Sequence, residues 1–382
     1  MPTSSKEGSL AEIAVQFLRL GFVAFGGPAA HIAMMEEDFV RRRKWLTHDR
    51  FLDLLGAVNL LPGPSSTELA IYLGEIRAGL AGLLVAGACF ILPAAICVVA
   101  LAWAYVRYGR VPQIAGLLFG IKPVVVALIT QAIWNLARTA LKTVSLAILA
   151  AVVVALAVWG LPTLMLLVGA GALWMLLRQG AQLARKSGVA RNAFAVFGLA
   201  AISGAMPGAA ATFLYFLRVG AILFGSGYVL LAVLHADLVV RLHWLTNAQL
   251  LDAIAVSQAT PGPFFTVATF VGYILAGWRG ATLATLGMFL PAFFYVAITA
   301  RFLPQIRKSL FAAAFLDGVN AAAVALMAFV GWQFARGSLN NIPAAVICAV
   351  SLHLVFRYKV NSAWMVIGGA LAGILLQLLH WT

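Results

Sequence analysis

Leu61-Pro62-Gly63-Pro64-Ser65-Ser66-Thr67-Glu68 lies inside an apolar stretch running from Phe51 to Glu75, and Thr260-Pro261-Gly262-Pro263-Phe264-Phe265-Thr266-Val267 repeats its Pro-Gly-Pro core 199 residues later. Working outward from that tripeptide, residues 17–64 align without a gap on residues 216–263, with 18 of 48 positions identical. The identities include Phe17/Phe216, Arg19/Arg218, Gly21/Gly220, Gly26/Gly225, Asp38/Asp237, Trp45/Trp244, Thr47/Thr246 and Asp53/Asp252. Charged, Gly and Pro identities are not produced by hydrophobic bias, so they mark an internal repeat. At an offset of 198 the register continues through Gly82/Gly280, Pro93/Pro291, Gly120/Gly318 and Trp134/Trp332. The expected organisation is a first repeat over 1–177, a basic linker with a short apolar run over 178–206, and a second repeat over 207–382.

The repeats are built for a bilayer. Of the 382 residues, 63% are hydrophobic and 10% charged, against about 25% charged in soluble domains. That excludes a soluble protein. Apolar runs near 79–106, 112–137, 143–159 and 162–177, with counterparts near 281–300, 311–334, 342–356 and 362–380, suit helices crossing ~30 Å of hydrocarbon. The net charge of +14 comes from Lys and Arg in short loops, where they set orientation, so nucleic acid is not an expected partner. Cys89, Cys97 and Cys348 have no CxxC spacing and read as small apolar residues. The polar N-terminus has no cleavage-site pattern of a signal peptide.

Each repeat opens with two interrupted apolar segments: Leu10 to Met35 is broken at Gly26-Gly27-Pro28, and Phe51 to Glu75 at Pro62-Gly63-Pro64. Proline removes a helical donor and glycine weakens the helix, so irregular backbone there needs protein or a watery cavity around it. With a cytoplasmic N-terminus, reading these segments as re-entrant hairpins leaves only Arg107, Arg110, Arg241, Arg279 and Arg336 outside; reading them as crossings moves Arg41-Arg42-Arg43-Lys44 and Arg50 out. The charge bias favours hairpins. The expected fold class is an all-α polytopic membrane protein of two homologous halves in inverted-repeat arrangement, with broken or re-entrant helices at the start of each. Ala193 to Met206, crossing once, would invert the second half and leave the C-terminus periplasmic.

Helices restarting at membrane depth aim free amides and a partial positive charge at the break, which favours an anion. Candidate binding groups are therefore Gly26, Gly27, Pro62, Gly63, Pro64, Gly225, Gly227, Pro261, Gly262 and Pro263, with the hydroxyls of Ser65, Ser66, Thr67 and Thr266 as oxyanion donors; simple turns and N-caps are the competing reading. Arg19 and Arg218 lie in the first broken segment of each half, where an intramembrane arginine faces a cavity, snorkels or pairs with a carboxylate. Lys122 is a third cation, and Asn320 takes its place in the second half. Glu68 and Glu75 have Val267 and Ile274 at the corresponding positions. Glu68 is the candidate for proton coupling, with an ion pair to Arg19 or Lys122 as its alternative. His31 is a second proton candidate or a packed core histidine. Asp53 and Asp252 read as helix-end residues, and Thr246-Asn247-Ala248-Gln249 has capping-box spacing. No nucleophile with a base, metal cluster or cofactor loop has credible spacing, so neither an enzyme nor a cofactor is expected. A channel with dipole-lined hairpins stays open beside a coupled transporter.

Phe17-Leu18-Arg19-Leu20-Gly21, Phe25-Gly26-Gly27-Pro28, Trp45-Leu46-Thr47 and Pro62-Gly63-Pro64, with Phe224-Gly225-Ser226-Gly227-Tyr228, Trp244-Leu245-Thr246 and Pro261-Gly262-Pro263, resemble the long two-domain form of the chromate ion transporter family. Ser226 stands where the family motif usually has a glycine. The resemblance covers nearly the full chain. It implies a bacterial inner-membrane carrier that expels chromate, with sulfate as competitor and dependence on the proton-motive force; sulfate or another oxyanion without a resistance role remains the alternative. Expected partners are a chromate- or sulfate-type oxyanion, protons and the lipid bilayer, with a homo-oligomer left open.

Overall fold

The computed structural model describes residues 9–25, 27–59, 61–109, 112–183, 208–223, 227, 229–300 and 310–379, and all regular structure among them is helical. The first half contains α1 (Leu10–Val23), α2 (Gly27–Met35) running into a wide π-type turn (Glu36–Arg42), α3 (His48–Val58), α4 (Ser65–Tyr108), α5 (Pro112–Ala140), α6 (Val144–Val158) and α7 (Thr163–Leu183). The second contains α8 (Ala209–Ile222), α9 (Val229–Leu234) with its own π-type turn (His235–Arg241), α10 (Asn247–Ala259), α11 (Val267–Thr299), α12 (Leu310–Ser338), α13 (Ile342–His353) and α14 (Ser362–Leu378). The helices pair one to one, as the repeat predicts. Stretches within α4, α5, α11 and α12 are long and apolar enough to span a bilayer. The inverting segment, Ala193 to Met206, lies outside the described residues.

α4 and α11 each fold back once. Gly79 (φ 60°, ψ −147°) and Gly277 (φ 61°, ψ −148°) reverse the chain within otherwise helical runs. Such dihedrals are open to glycine and strained for other residues. Gly74 then packs on the Gly82 backbone, and Gly272 on Gly280, so the pairing here runs at 198 rather than 199. The one-residue difference is absorbed just after the second Pro-Gly-Pro, where Phe264–Thr266 is wound as a 3₁₀ turn. Three residues at ~2.0 Å rise cover the length of four at ~1.5 Å. This corrects the sequence pairing: the counterparts of Glu68 and Glu75 are Thr266 and Tyr273, not Val267 and Ile274.

One carboxylate shows how the broken segments run. Glu12, in the first turn of α1, lies 3.3 Å from Arg43, beyond α2, and 3.4 Å from Arg77, at the end of the first leg of α4. Arg77 also covers the Trp45 ring at 5.2 Å. Those ends meet only if α1–α2 and α3 with the first leg of α4 each enter and return to the same face, which is the re-entrant reading. Cysteines placed at Ser9, Lys44 and Ala78 are accordingly expected to react with an impermeant thiol reagent from one side; reaction of Lys44→Cys from the opposite side would restore the crossing alternative.

The halves are inverted and interlocked. Leu84 shares one apolar groove with Phe294, and Ile96 shares another with Thr282, so the long legs of α4 and α11 run antiparallel. Lys142, just past α5, pairs at 3.1 Å with Asp317 near the start of α12. The last helix of each half packs on the other half, α14 on α5 and α7 on α12.

Candidate functional site

α1 spans 14 residues, about 21 Å at ~1.5 Å per residue, and α8 has the same length. Both stop short of a full crossing, and the stops are capped by the opposite half. The Gly262 amide donates to the Ala24 carbonyl beyond α1 at 2.8 Å, and the Gly63 amide donates to the Leu223 carbonyl beyond α8 at 2.7 Å. Each Pro-Gly-Pro loop thus satisfies carbonyls that a helix end leaves open. Both glycines have positive φ, 137° at Gly63 and 87° at Gly262. A Cβ on Gly262 would stand 2.7 Å from the Ala94 Cβ, and one on Gly63 would stand 2.5 Å from Glu68 Oε1.

Buried polar groups with open hydrogen-bonding capacity gather on the first-half side of this crossing. His31 is 1% exposed, with Nε2 3.1 Å from the Ala24 carbonyl and Nδ1 3.4 Å from Ser66 Oγ. A carbonyl only accepts, so Nε2 carries the hydrogen and Nδ1 receives the Ser66 hydroxyl in the neutral ring. Thr67 and Glu68 are 0% exposed, and Thr67 Oγ1 and both Glu68 carboxylate oxygens have no hydrogen-bond partner. α4 has no side-chain cap at its Pro64 N-cap. At the corresponding second-half positions Leu230 replaces His31, and the Thr266 hydroxyl is committed to the Pro263 carbonyl at 2.9 Å. Thr266 is therefore not poised as an oxyanion donor, and the Gly63 and Gly262 amides are already engaged. Tyr72, one turn beyond Glu68, is hydrogen-bonded to Thr299 of α11, and Tyr295 donates to the Ala221 carbonyl at 2.8 Å.

The predicted cations disperse. Arg19 is exposed on α1, and Arg218 is half-buried on α8 near Asp237 and Tyr215, on which its charge acts. Lys122 lies 3.7 Å from Asp252 Oδ1, while Tyr105 donates to Asp252 Oδ2 at 2.9 Å. Asp252 is 2% exposed, which corrects its reading as a helix-end residue; the capping box itself is formed by Thr246 and Gln249. The alternative of a Glu68–Lys122 pair is likewise overturned. Gly26 and Gly225 lie outside the described residues. Gly27 opens α2 at φ 78°, Gly227 packs against the Phe265 ring, Ser65 is half-buried, and Pro62, Pro64, Pro261 and Pro263 frame the two glycine bonds. Sequence reading missed Tyr105, Tyr72 and Thr299. Their only signal was polarity in long apolar helices.

A family model described as Chromate transporter matches the chain twice, over residues 11–175 and 210–374. The chain belongs to the chromate transporter family. The two matches are displaced by the same 199 residues as the Pro-Gly-Pro motifs. A chromate transport protein of Cupriavidus metallidurans is 32% identical over 95% of this chain and 92% of its own length. A probable chromate transport protein of Synechococcus elongatus is 30% identical over 96% of this chain and 95% of its length. An uncharacterized transporter of Bacillus subtilis, YwrA, is 30% identical over 34% of this chain and 72% of its own length. No solved structure matches this chain. Family membership and the apolar helices make this a multi-pass membrane protein of a transport family, not an enzyme.

Proposed function

We propose that the chain is a secondary carrier exporting chromate, or a similar tetrahedral oxyanion such as sulfate, across the bacterial inner membrane by alternating access, with proton exchange at Glu68 coupling it to the proton-motive force. The observation that carries this is the pair of unpartnered, fully buried Glu68 oxygens beside the unpartnered Thr67 hydroxyl, at the uncapped start of α4 where the halves cross. An ionised carboxylate without a partner is costly in such a place. A proton held at Glu68 leaves the α4 amide end free to favour an anion, and deprotonation sets a like charge against it. Rocking of the inverted halves about the crossing changes which side reaches the site. Export of a dianion is favoured by about 2.3 kcal/mol per charge per ~100 mV of cytoplasm-negative potential.

Inside-out vesicles test this directly. Radiolabelled chromate uptake should saturate, fall with competing sulfate and rise with a proton gradient. Uptake of both anions equal to that of vesicles lacking the protein would overturn the substrate assignment.

A further inference from the structure

One stripe of α4 joins the crossing to the face where Glu12, Arg43 and Arg77 meet. Glu68, Tyr72 and Glu75 stand at i, i+4 and i+7 on the first leg of that helix, a spacing that stacks side chains along one face. Burial falls along it: Glu68 is 0% and Tyr72 1% exposed, and Glu75, two residues before Arg77, is half-buried. From first to last the stripe covers about 10.5 Å at ~1.5 Å per residue. The charges of both carboxylates act on Tyr72, as its position between them requires. In the 198 pairing Thr266, Phe270 and Tyr273 replace the three residues, and Leu101 stands where α11 has Thr299. The second half therefore has no carboxylate on this stripe and no hydroxyl at its middle.

Thr299 fixes the direction of the Tyr72 hydroxyl. A threonine hydroxyl has one hydrogen, and that of Thr299 goes to the Tyr295 carbonyl at 2.6 Å. In the bond between Tyr72 and Thr299 the phenol is therefore the donor, and its lone pairs are left to accept. A protonated Glu68, whose oxygens have no partner, is the donor that matches. The neighbouring titratable groups are engaged elsewhere: His31 with Ser66 and the Ala24 carbonyl, Tyr295 with the Ala221 carbonyl, and Arg77 with Glu12. We propose that Tyr72 relays the proton of Glu68 to Glu75, so that this stripe is the path by which the coupling proton leaves for the Glu12 face, with Thr299 positioning the relay. Glu68 gives its proton to a lone pair of Tyr72 Oη as the Tyr72 hydroxyl hydrogen swings from Thr299 to the Glu75 carboxylate. The phenol is neutral before and after, Glu68 is left ionised, and Glu75 releases the proton beside Arg77. The relay rests on proton exchange at Glu68 as read above.

The test compares the full-length parent with Tyr72→Phe, Glu75→Gln and Glu68→Gln in inside-out vesicles, reading radiolabelled chromate uptake under an imposed pH difference and chromate self-exchange without one. Tyr72→Phe and Glu75→Gln are each expected to lower gradient-driven uptake at least about tenfold, the lower end of what a positioned proton-transfer group supplies, and to leave self-exchange at the parent's rate. Thr299→Val should lower gradient-driven uptake about threefold, the worth of one neutral hydrogen bond, and Thr299→Ser should restore it. Self-exchange that falls in parallel with driven uptake in Tyr72→Phe makes the phenol a strut between α4 and α11 and overturns the relay. Loss of the gradient response in Glu68→Gln alone, with Tyr72→Phe and Glu75→Gln like the parent, also overturns the relay and leaves coupling at Glu68 standing. A gradient response equal in all four proteins, or absent from the parent, overturns coupling at Glu68 and the relay with it.

Discussion

Glu68→Gln is expected to remove the proton-gradient stimulation of oxyanion uptake while leaving exchange of one oxyanion for another within about threefold of the parent. The substitution is nearly isosteric and leaves the cross-half glycine bonds intact. Glutamine keeps the polarity of the protonated acid and cannot release a proton, so the coupled step stops and the binding step survives. With the gradient as the driving force, the loss should reach tenfold or more, at ~1.4 kcal/mol per factor of ten. Uptake into inside-out vesicles, with and without an imposed pH difference, reads both quantities. A Glu68→Gln protein whose uptake responds to the gradient as the parent's does would remove Glu68 from the coupling mechanism.

Gly262→Ala is expected to have an effect of similar size by a different route. The new methyl would stand 2.7 Å from the Ala94 Cβ on a residue at φ 87°. Strained backbone of this kind costs ~1–3 kcal/mol, and relief by movement would pull the Gly262 amide from the Ala24 carbonyl. Transport should fall at least about tenfold. Adding Ala94→Gly removes the collision and not the dihedral strain, so the double variant should recover part of the rate and show coupling between the sites. Independent, additive losses would show that the loop does not work through its contact with Ala94. Uptake rates of detergent-stable, inserted protein for the four combinations decide it.

How much of this could be read from the chain depends on the kind of interaction. The repeat was visible because glycines, prolines and charges recur at one spacing where helix breaks require them, and the structure uses Gly63 and Gly262 in matching bonds. The re-entrant course of α1–α2 and α3–α4 was visible in loop charges, since Arg43 and Arg77 both end on the Glu12 side. The shift from 199 to 198 was visible at Gly82/Gly280, but its place was hidden, because a 3₁₀ turn at Phe264–Thr266 covers in three residues what α4 covers in four. Asp252 was misread because its partners, Lys122 and Tyr105, come from the other half, and no local pattern on α10 announces them. Thr266 kept its position but lost its availability to the Pro263 carbonyl. Arg19 and Arg218 recur as a pair, yet one is exposed on α1 and the other lies near Asp237, surroundings that the repeat alone does not distinguish.

In the proposed carrier, two inverted halves move an oxyanion through one alternately exposed site. Purified protein in liposomes preloaded with unlabelled chromate, and diluted into a trace of labelled chromate, tests it with no imposed gradient of protons or charge. Transient accumulation of label above the outside concentration is expected, saturable and equally supported by internal sulfate if sulfate shares the site. Label that only equilibrates, at a rate unchanged by what is inside, would contradict a carrier and describe an open pore.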